Sequence, residues 1–334
     1  MSGSQFNIAL IGLGVMGQRM LANMTTHGGY NLIAAWDPNP SACEQTHASY
    51  PSLRIAADAD DAITDPRAEV VYIASPPAVH KQYAMSAIEH GKTVFCEKPL
   101  GVDVEQSRQL VAYAESSGVI NAVNFSFAAK AASERIKDAL DEGAVGRVVG
   151  VDVRLHFCRW PRDWQAGATW LTKRDQGGFV REVLSHYVYL TQRLFGRSTL
   201  GNAVVRYPDD GESAETHVLA NLDCGRIPVS VAGGTGGVGP DRVEYTIWGT
   251  EVSYRLDDWN RLKSSSGGDW VDELTQFDNP RQEGYMRMLD NLHALLRGDP
   301  HTMPSFRDAL SVQEIIEGIL ASDGKRVAPD RRMY

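Results

Sequence analysis

The chain has 334 residues, of which 43% are hydrophobic and 22% charged, and a formal net charge of −9. That length allows two domains with full cores, and the balance is that of a soluble globular protein. An acidic surplus with no long basic run argues against nucleic-acid partners and anionic membranes, and no segment approaches the 18 apolar residues of a membrane span.

The opening MSGSQFNIALIGLGVMG has no basic region before its short apolar stretch, so no signal peptide is expected. FNIALIG reads as a buried strand, and VMGQRMLANMTTHGG as a helix closed by glycines. NLIAAWD is a strand. NPSACEQTHASY is a helix with Asn39 as its cap and Pro40 at its first position, where a missing N–H is harmless. AEVVYIASPP is a strand rich in β-branched residues, and AVHKQYAMSAIEHG a helix stopped by Gly91. KTVFCEKP, DVEQSRQLVAYAESSG and VINAVNF continue the alternation as strand, helix and strand. The pattern predicts an α/β fold, with a doubly wound parallel sheet of Rossmann type over residues 1–124.

The pattern then changes. After a helical stretch, KAASERIKDALDEG, long runs alternate apolar and polar residues: RVVGVDVRLHFC, LGNAVVRYP, ETHVLANLDC, RIPVSVAGG and DRVEYTIWGTEVSYRL. They predict a second, α+β domain over residues 125–334 with one large, mainly antiparallel open sheet, one face of it solvated or covered by a partner. EGYMRMLDNLHALLRG and FRDALSVQEIIEGILASDG are closing helices, the last free to pack back on the first domain. Cys43, Cys96, Cys158 and Cys224 are scattered, with no CxxC and no histidine at ligand spacing. Neither a disulfide framework nor a metal site is expected, and a reducing cytoplasm suits these thiols.

GLGVMG sets Gly12, Gly14 and Gly17 in G-x-G-x-x-G spacing between a strand and a helix, with Asp37 ending the next strand. Gly12 permits a tight turn, Gly14 lets backbone approach a pyrophosphate, and Gly17 lets helix and strand pack closely. The helix start, through Val15 and Met16, offers N–H groups to phosphates. Asp37 suits the ribose hydroxyls of adenosine, and no arginine or lysine follows in PNP, so NAD is expected over NADP. Ser75, Pro76 and His80 follow the IASPP strand and are expected near the nicotinamide half, unless the segment is a proline-shaped turn with an exposed histidine. Glu97, Lys98 and Pro99 leave a buried strand at the edge where open α/β sheets bind ligands. Pro99 biases Lys98 to extended geometry, and a cis bond there is compatible with the sequence. In QGGFVREVLSHYVYL, Val180, Val183, Leu184, Tyr187 and Val188 mark one apolar helical face, with Glu182 and His186 neighbours on the polar side.

Together, these segments resemble the Gfo/Idh/MocA oxidoreductases, the glucose-fructose oxidoreductase and inositol dehydrogenase family. GLGVMG matches the family's cofactor loop and GKTVFCEKPLG its Glu-Lys-Pro motif. DEGAVGRVVGVDVRL looks like the start of its second-domain sheet, and PSFRDALSVQEIIEGILASDGKRV like its C-terminal helix. GGFVREVLSHYVYL sits where the family carries a Gly-Gly-led motif with Asp-x-x-x-His. The resemblance implies that Lys98 contacts substrate and nicotinamide ribose and that His186 is the general acid/base. It also implies a polar residue near the cofactor at Asn124, and dimers or tetramers built on the second-domain sheet. Glu182 stands in place of the family's usual aspartate, which keeps the carboxylate and lengthens its reach. FSFAAKAA lacks the arginine and proline common in the family after that strand, so the substrate side is expected to be unusual.

Hydride transfer from an alcohol carbon needs a base for the hydroxyl proton and a positive group for the developing oxygen charge. His186 is the expected proton acceptor because an ordinary histidine titrates near working pH. Lys98 is expected to polarise the oxygen, sharing the proton relay or holding only the cofactor ribose. Glu182 is expected to orient His186. CRWPRDWQAGATW is dense in tryptophan and arginine, so Trp160, Arg162, Asp163, Trp164 and Trp170 read as a wall for a polyhydroxylated ring or as a subunit-interface loop. Tyr189 and Arg193 fall on the stripe of Glu182 and His186. The expected function is NAD-dependent oxidation or reduction of a sugar, cyclic polyol or related compound. A glycosidase using transient oxidation by NAD and a non-catalytic cofactor-binding regulator are the alternatives.

Overall fold

The computed structural model describes residues 5–322, which form two compact units. The first comprises residues up to Ala128 together with Tyr285–Gln313; the second comprises Ala129–Gly284 and the chain from Glu314. A single cut at residue 124 misses this discontinuity. The end of the C-terminal stretch quoted above, residues 323–327, lies outside the described residues.

In the first unit, six parallel strands follow the order β3-β2-β1-β4-β5-β6. They are β1 (Phe6–Ile11), β2 (Tyr30–Trp36), β3 (Arg54–Ile55), β4 (Val70–Ile73), β5 (Thr93–Glu97) and β6 (Asn121–Asn124). This is the doubly wound order, and the direction of winding reverses between β1 and β4. Every residue of β4 is buried, as a strand covered on both faces requires. The helices are α1 (Val15–His27), α2 (Pro40–Ser49), α3 (Ala59–Ile63), α4 (His80–Glu89) and α5 (Val104–Ser117). Asn39 caps α2 by accepting from the Ser41 amide at 3.1 Å, with Pro40 at the first position. Ile8, Leu10, Tyr72 and Phe95 share a core with Met288, Leu289 and Leu292, and the Tyr30 hydroxyl donates to the Leu289 carbonyl. That packing places residues 285–313 with the first unit.

The second unit carries α6 (Ala131–Asp141), α7 (Ser185–Phe195) and an eight-stranded sheet. Its strands are β7 (Val148–Phe157), β8 (Ser198–Arg206), β9 (His217–Cys224), β10 (Ile227–Thr235), β11 (Arg242–Gly249), β12 (Ser253–Asp257), β13 (Arg261–Ser265) and β14 (Val271–Asp272). The order is β14-β13-β12-β11-β7-β10-β9-β8, antiparallel except for β7 beside β10. Burial alternates strictly along β9, so the sheet has one core face. Tyr187 of α7 stacks on Tyr245 of that face at 5.8 Å. Leu219, Val204 and Trp248 project from the other face and are exposed. Two further helices, α8 (Pro280–Arg297) and α9 (Phe306–Leu320), each contribute residues to both units.

Beneath the Gly177–Gly178 turn lies a buried acid, Glu215, whose carboxylate accepts from the Val180 amide at 2.7 Å. Gly178 has φ +95°, and a Cβ there would meet Glu215 Oε2 at 2.1 Å. Nearby, Arg181 makes a two-pronged ion pair with Glu317, at 2.6 and 2.7 Å. Burial pushes the Glu215 carboxyl up to about 7, against the opposing pull of the Val180 amide. The folded chain therefore holds this proton more tightly than the unfolded chain. The associated stability is complete below an ordinary carboxylate value and is lost as pH rises through about 7. Glu215→Gln is expected to match wild type near pH 4.5 and to exceed it above pH 7.5, by up to about 3 kcal/mol. Urea unfolding at both pH values checks this; parallel pH profiles for the two proteins would contradict it.

Candidate functional site

In the first unit the glycine turn lies at the β1/β4 reversal. Gly12 has φ +102°, and a Cβ there would strike Ala74 backbone at 2.7 Å. A Cβ on Gly17 would come within 2.0 Å of the Gly12 carbonyl oxygen, so only glycine lets α1 start this close to β1. Gly14 is different: a Cβ there would have nothing within 4 Å. The space above Gly14 is open, and the amides of Val15, Met16 and Gly17 form the first turn of α1, where N–H groups lack helical partners. Asp37 follows β2 and accepts from Leu13 N at 2.7 Å and Asn39 N at 2.8 Å. Each oxygen keeps a second lone pair, so the carboxylate can brace the turn and still accept from ribose hydroxyls. Open backbone, unpaired helix-start amides and a braced carboxylate fit a dinucleotide.

Ser75 and Pro76 follow β4 at the same sheet edge. His80 is not the exposed residue that the turn reading allowed. It is fully buried, its Nδ1 2.9 Å from Pro99 O and its Nε2 2.8 Å from Ser75 O. Burial lowers its pKa against the pull of these carbonyls. It joins the loop after β4 to the loop after β5. Glu97 ends β5 nearly buried and accepts from the Tyr72 hydroxyl at 2.5 Å and the Asn124 amide at 2.6 Å. Lys98 follows, half-buried, and the Lys98–Pro99 bond is cis.

In the second unit Val180–Leu184 form a π-helical turn leading into α7. The stretch has no solvated face: from Val180 to Thr191 only Glu182 is more than slightly exposed, and His186 is 5% exposed. A helix apolar or enclosed all round is a core helix, which corrects the polar-face reading of Glu182 and His186. The His186 ring meets Trp259 edge-on at 5.2 Å. Trp259 and Asp258, at the tip between β12 and β13, both have positive φ, uncommon for such residues. Lys130 Nζ holds this tip, donating to Asn260 Oδ1 at 2.8 Å and Trp259 O at 3.2 Å. Its stem reaches the surface while the ammonium is enclosed. Burial, helped by the charge of Arg281, brings its pKa down to about 7.

Glu182 accepts from Gln165 Nε2 at 3.0 Å, and Gln165 Oε1 accepts from Arg162 Nε at 2.8 Å, so a buried amide links acid to guanidinium. The tryptophan-rich segment divides. Arg162 and Trp164 belong to this cluster, with the guanidinium 4.8 Å from the ring. Trp160 packs on Phe157 and Phe179 and donates to Leu171 O. Asp163 is an exposed partner of Arg159, so it faces solvent and not the cluster. Tyr189 is buried, and Arg193 pairs with Glu134. Gln165, Lys130, Trp259 and Arg281 escaped the sequence reading. Lys130 and Gln165 lie in quoted segments without a motif, and Trp259 and Arg281 join the cluster only through the fold.

The first unit is a Rossmann-type dinucleotide-binding domain, followed by an open-sheet α/β unit. The chain belongs to the Gfo/Idh/MocA oxidoreductase family: residues 6–125 match its NAD-binding Rossmann fold and residues 137–328 its C-terminal alpha/beta domain. Inositol 2-dehydrogenase of Rhodococcus jostii is 35% identical over 152 residues, 45% of this chain and 42% of that protein. A 1-carboxy-3-chloro-3,4-dihydroxycyclohexa-1,5-diene dehydrogenase of Comamonas testosteroni is 32% identical over 141 residues, 42% of this chain and 36% of that protein. The chain thus spans less than half the length of these curated relatives. The structure of a levoglucosan dehydrogenase in complex with NADH and levoglucosan superposes with a TM-score of 0.81 at 20% identity, over 95% of this chain and 96% of that one. At that identity the likeness speaks for the fold alone.

Because Asp37 bonds the turn and carries the charge that would oppose a 2′-phosphate, its replacement tests both roles. Asp37→Ser combined with Asn39→Arg is expected to weaken NAD binding at least about tenfold and to favour NADP. Fluorescence titration with both cofactors measures this. A wild-type preference for NADP would overturn the assignment.

Proposed function

We propose that the chain is an NAD-dependent dehydrogenase or reductase acting on a hydroxyl-bearing carbon of a sugar or cyclic polyol. The observation that carries this is the braced glycine turn at the β1/β4 reversal, with Lys98 at the same sheet edge beside the buried Glu97. Bound NAD would supply the acceptor for a hydride, two electrons and a hydrogen nucleus, from the carbinol carbon. Asp37 and the amides of Val15, Met16 and Gly17 hold the dinucleotide, while Asn124 and Glu97 fix the strand ends beside it. Lys98 places its ammonium on the substrate oxygen and stabilises the negative charge that grows there. His186 takes the hydroxyl proton, and Glu182, held by Gln165, contributes its negative charge from the preceding helical turn. In the reduction direction the same groups return the proton. The relatives' inositol and dihydroxycyclohexadiene substrates support a ring-shaped polyol. The exposed Leu219, Val204 and Trp248 support self-association through the open sheet as a dimer or tetramer. The reduced state of all four cysteines is in keeping with a cytoplasmic enzyme.

Lys98→Ala is expected to lower turnover by about a thousandfold or more while NAD affinity changes only a few-fold. His186→Ala is expected to lower kcat by about 100-fold or more, with partial recovery as pH rises and solvent hydroxide replaces the base. Steady-state NADH formation across sugars and inositols, with NAD titrated separately, measures both. Full activity in Lys98→Ala would refute the lysine's role.

A further inference from the structure

Arg162 is mostly enclosed, its guanidinium 5.4 Å from the Phe157 ring, 5.7 Å from Trp160 and 4.8 Å from Trp164. Of its five N–H groups, one donates to a protein acceptor among the described residues, Nε to Gln165. Arg281 approaches the same Trp164 ring at 6.0 Å and makes no hydrogen bond or ion pair among the described residues. The two guanidiniums therefore share one indole while repelling each other; burial works most strongly against the charge on Arg162, Glu182 and Asp241 favour it, and Arg281 adds a smaller repulsion. The acids nearby, Glu182 and Asp241, offset part of the Arg162 charge, and neither forms an ion pair with Arg162 or Arg281 among the described residues. Glu182 is reached through Gln165, Asp163 is turned out to Arg159, and an oxygen of Asp241 is taken by the Cys158 amide. Two cations flanking an exposed tryptophan, with their terminal N–H groups unspent, form the donor half of a fork-to-fork contact.

We propose that Arg162 and Arg281 form a subsite for a substrate carboxylate, with Trp164 as the face on which the attached polyol carbons lie. The substrate is then a sugar acid or a carboxylated cyclic polyol. This rests on the proposed dehydrogenase reading for the chemistry at the hydroxyl carbon, but the carboxylate contact is a binding event that can be measured without turnover. A planar carboxylate accepts two parallel N–H bonds from one guanidinium while the second cation lowers the remaining repulsion. A neutral sugar would add no counter-charge to either guanidinium, and Arg281 has no ion-pair partner among the described residues.

The test uses the full chain with saturating NAD and reads tryptophan fluorescence and NADH formation in parallel. Ligands are D-glucuronate against D-glucose, quinate against myo-inositol, and glucose 6-phosphate. Wild type is expected to bind at least one acid about tenfold or more tighter than its neutral partner, with affinity falling as salt rises. In Arg162→Gln and Arg281→Gln the acid-to-neutral ratio is expected to fall toward one. Arg281 is exposed, so its variant keeps the fold even where the Arg162 variant is destabilised. Equal binding of acid and neutral ligands, no saturable binding by either acid, a ratio that survives both substitutions, or a preference for glucose 6-phosphate would each overturn the carboxylate subsite. Selective acid binding without NADH formation from any ligand would instead defeat the dehydrogenase reading and leave the subsite standing.

Discussion

The first unit depends on how closely α1 approaches the end of β1. Its helix can start there only because position 17 has no side chain, since a Cβ would sit 2.0 Å from the Gly12 carbonyl oxygen. Position 12 in turn lies against the Ala74–Ser75 backbone, so the loop after β4 is seated by the same turn. The consequences are local and electrostatic. The first amides of α1 have no helical acceptors and present partial positive charge at the point where the sheet reverses direction. Asp37 then anchors the turn to the end of β2 through Leu13 N, and Gln18 ties it to α2 through Thr46. One steric requirement thus fixes a helix start, two loops and a carboxylate.

A second constraint is the burial of polar groups at the strand ends. A carboxylate out of water is unfavourable unless its lone pairs are satisfied. Glu97 meets that condition by accepting from Tyr72 on β4 and Asn124 on β6, which draws three neighbouring strand ends into one network. The network also raises the Tyr72 hydroxyl pKa far above its ordinary value, through burial first and the Glu97 charge second, so this proton stays in place. On the far side of Lys98, His80 is held against Pro99 O and Ser75 O. Lys98 thus sits between a residue fixed by side chains and a residue fixed through its carbonyl, and its backbone has little freedom to drift.

The glycine spacing, Asp37 and the alternation of strand and helix in the first unit were legible because each follows from backbone sterics or period. The short β3 and α3 were not, since two residues or five carry too little periodicity to stand out. The β13 and β14 strands were missed for the same reason. In the second unit the helical pattern around His186 was visible, but its polar side was misjudged. A period of 3.6 separates faces and says nothing about what covers the second face, and here the sheet and the β12–β13 tip enclose it. Trp259 and Arg281 lie 73 and 95 positions after His186. No local rule links residues so far apart; only the fold does.

Enclosure changes what each charge near His186 can do. Water around an exposed pair would damp the interaction of a cation and an acid within a few ångströms, whereas a low-dielectric setting preserves it. Lys130 shows this directly: with its ammonium enclosed and Arg281 adding repulsion, it holds its proton only to about pH 7. The same ammonium secures the strained Asp258–Trp259 turn, whose indole forms one wall of His186. Glu182, the one half-exposed residue of the enclosed run, is reached by Gln165 across the π-helical turn. A π turn widens the helix by one residue and rotates the side chains after it relative to those before, so it sets the relation between Glu182 and His186. Residues four apart stay on one side of a regular helix as well, so the turn changes their offset and not the side they share. The packing around the segment is therefore what yields a buried histidine and a reachable carboxylate: the Trp259 ring lies against His186, while Glu182 stays half-exposed and is met by Gln165.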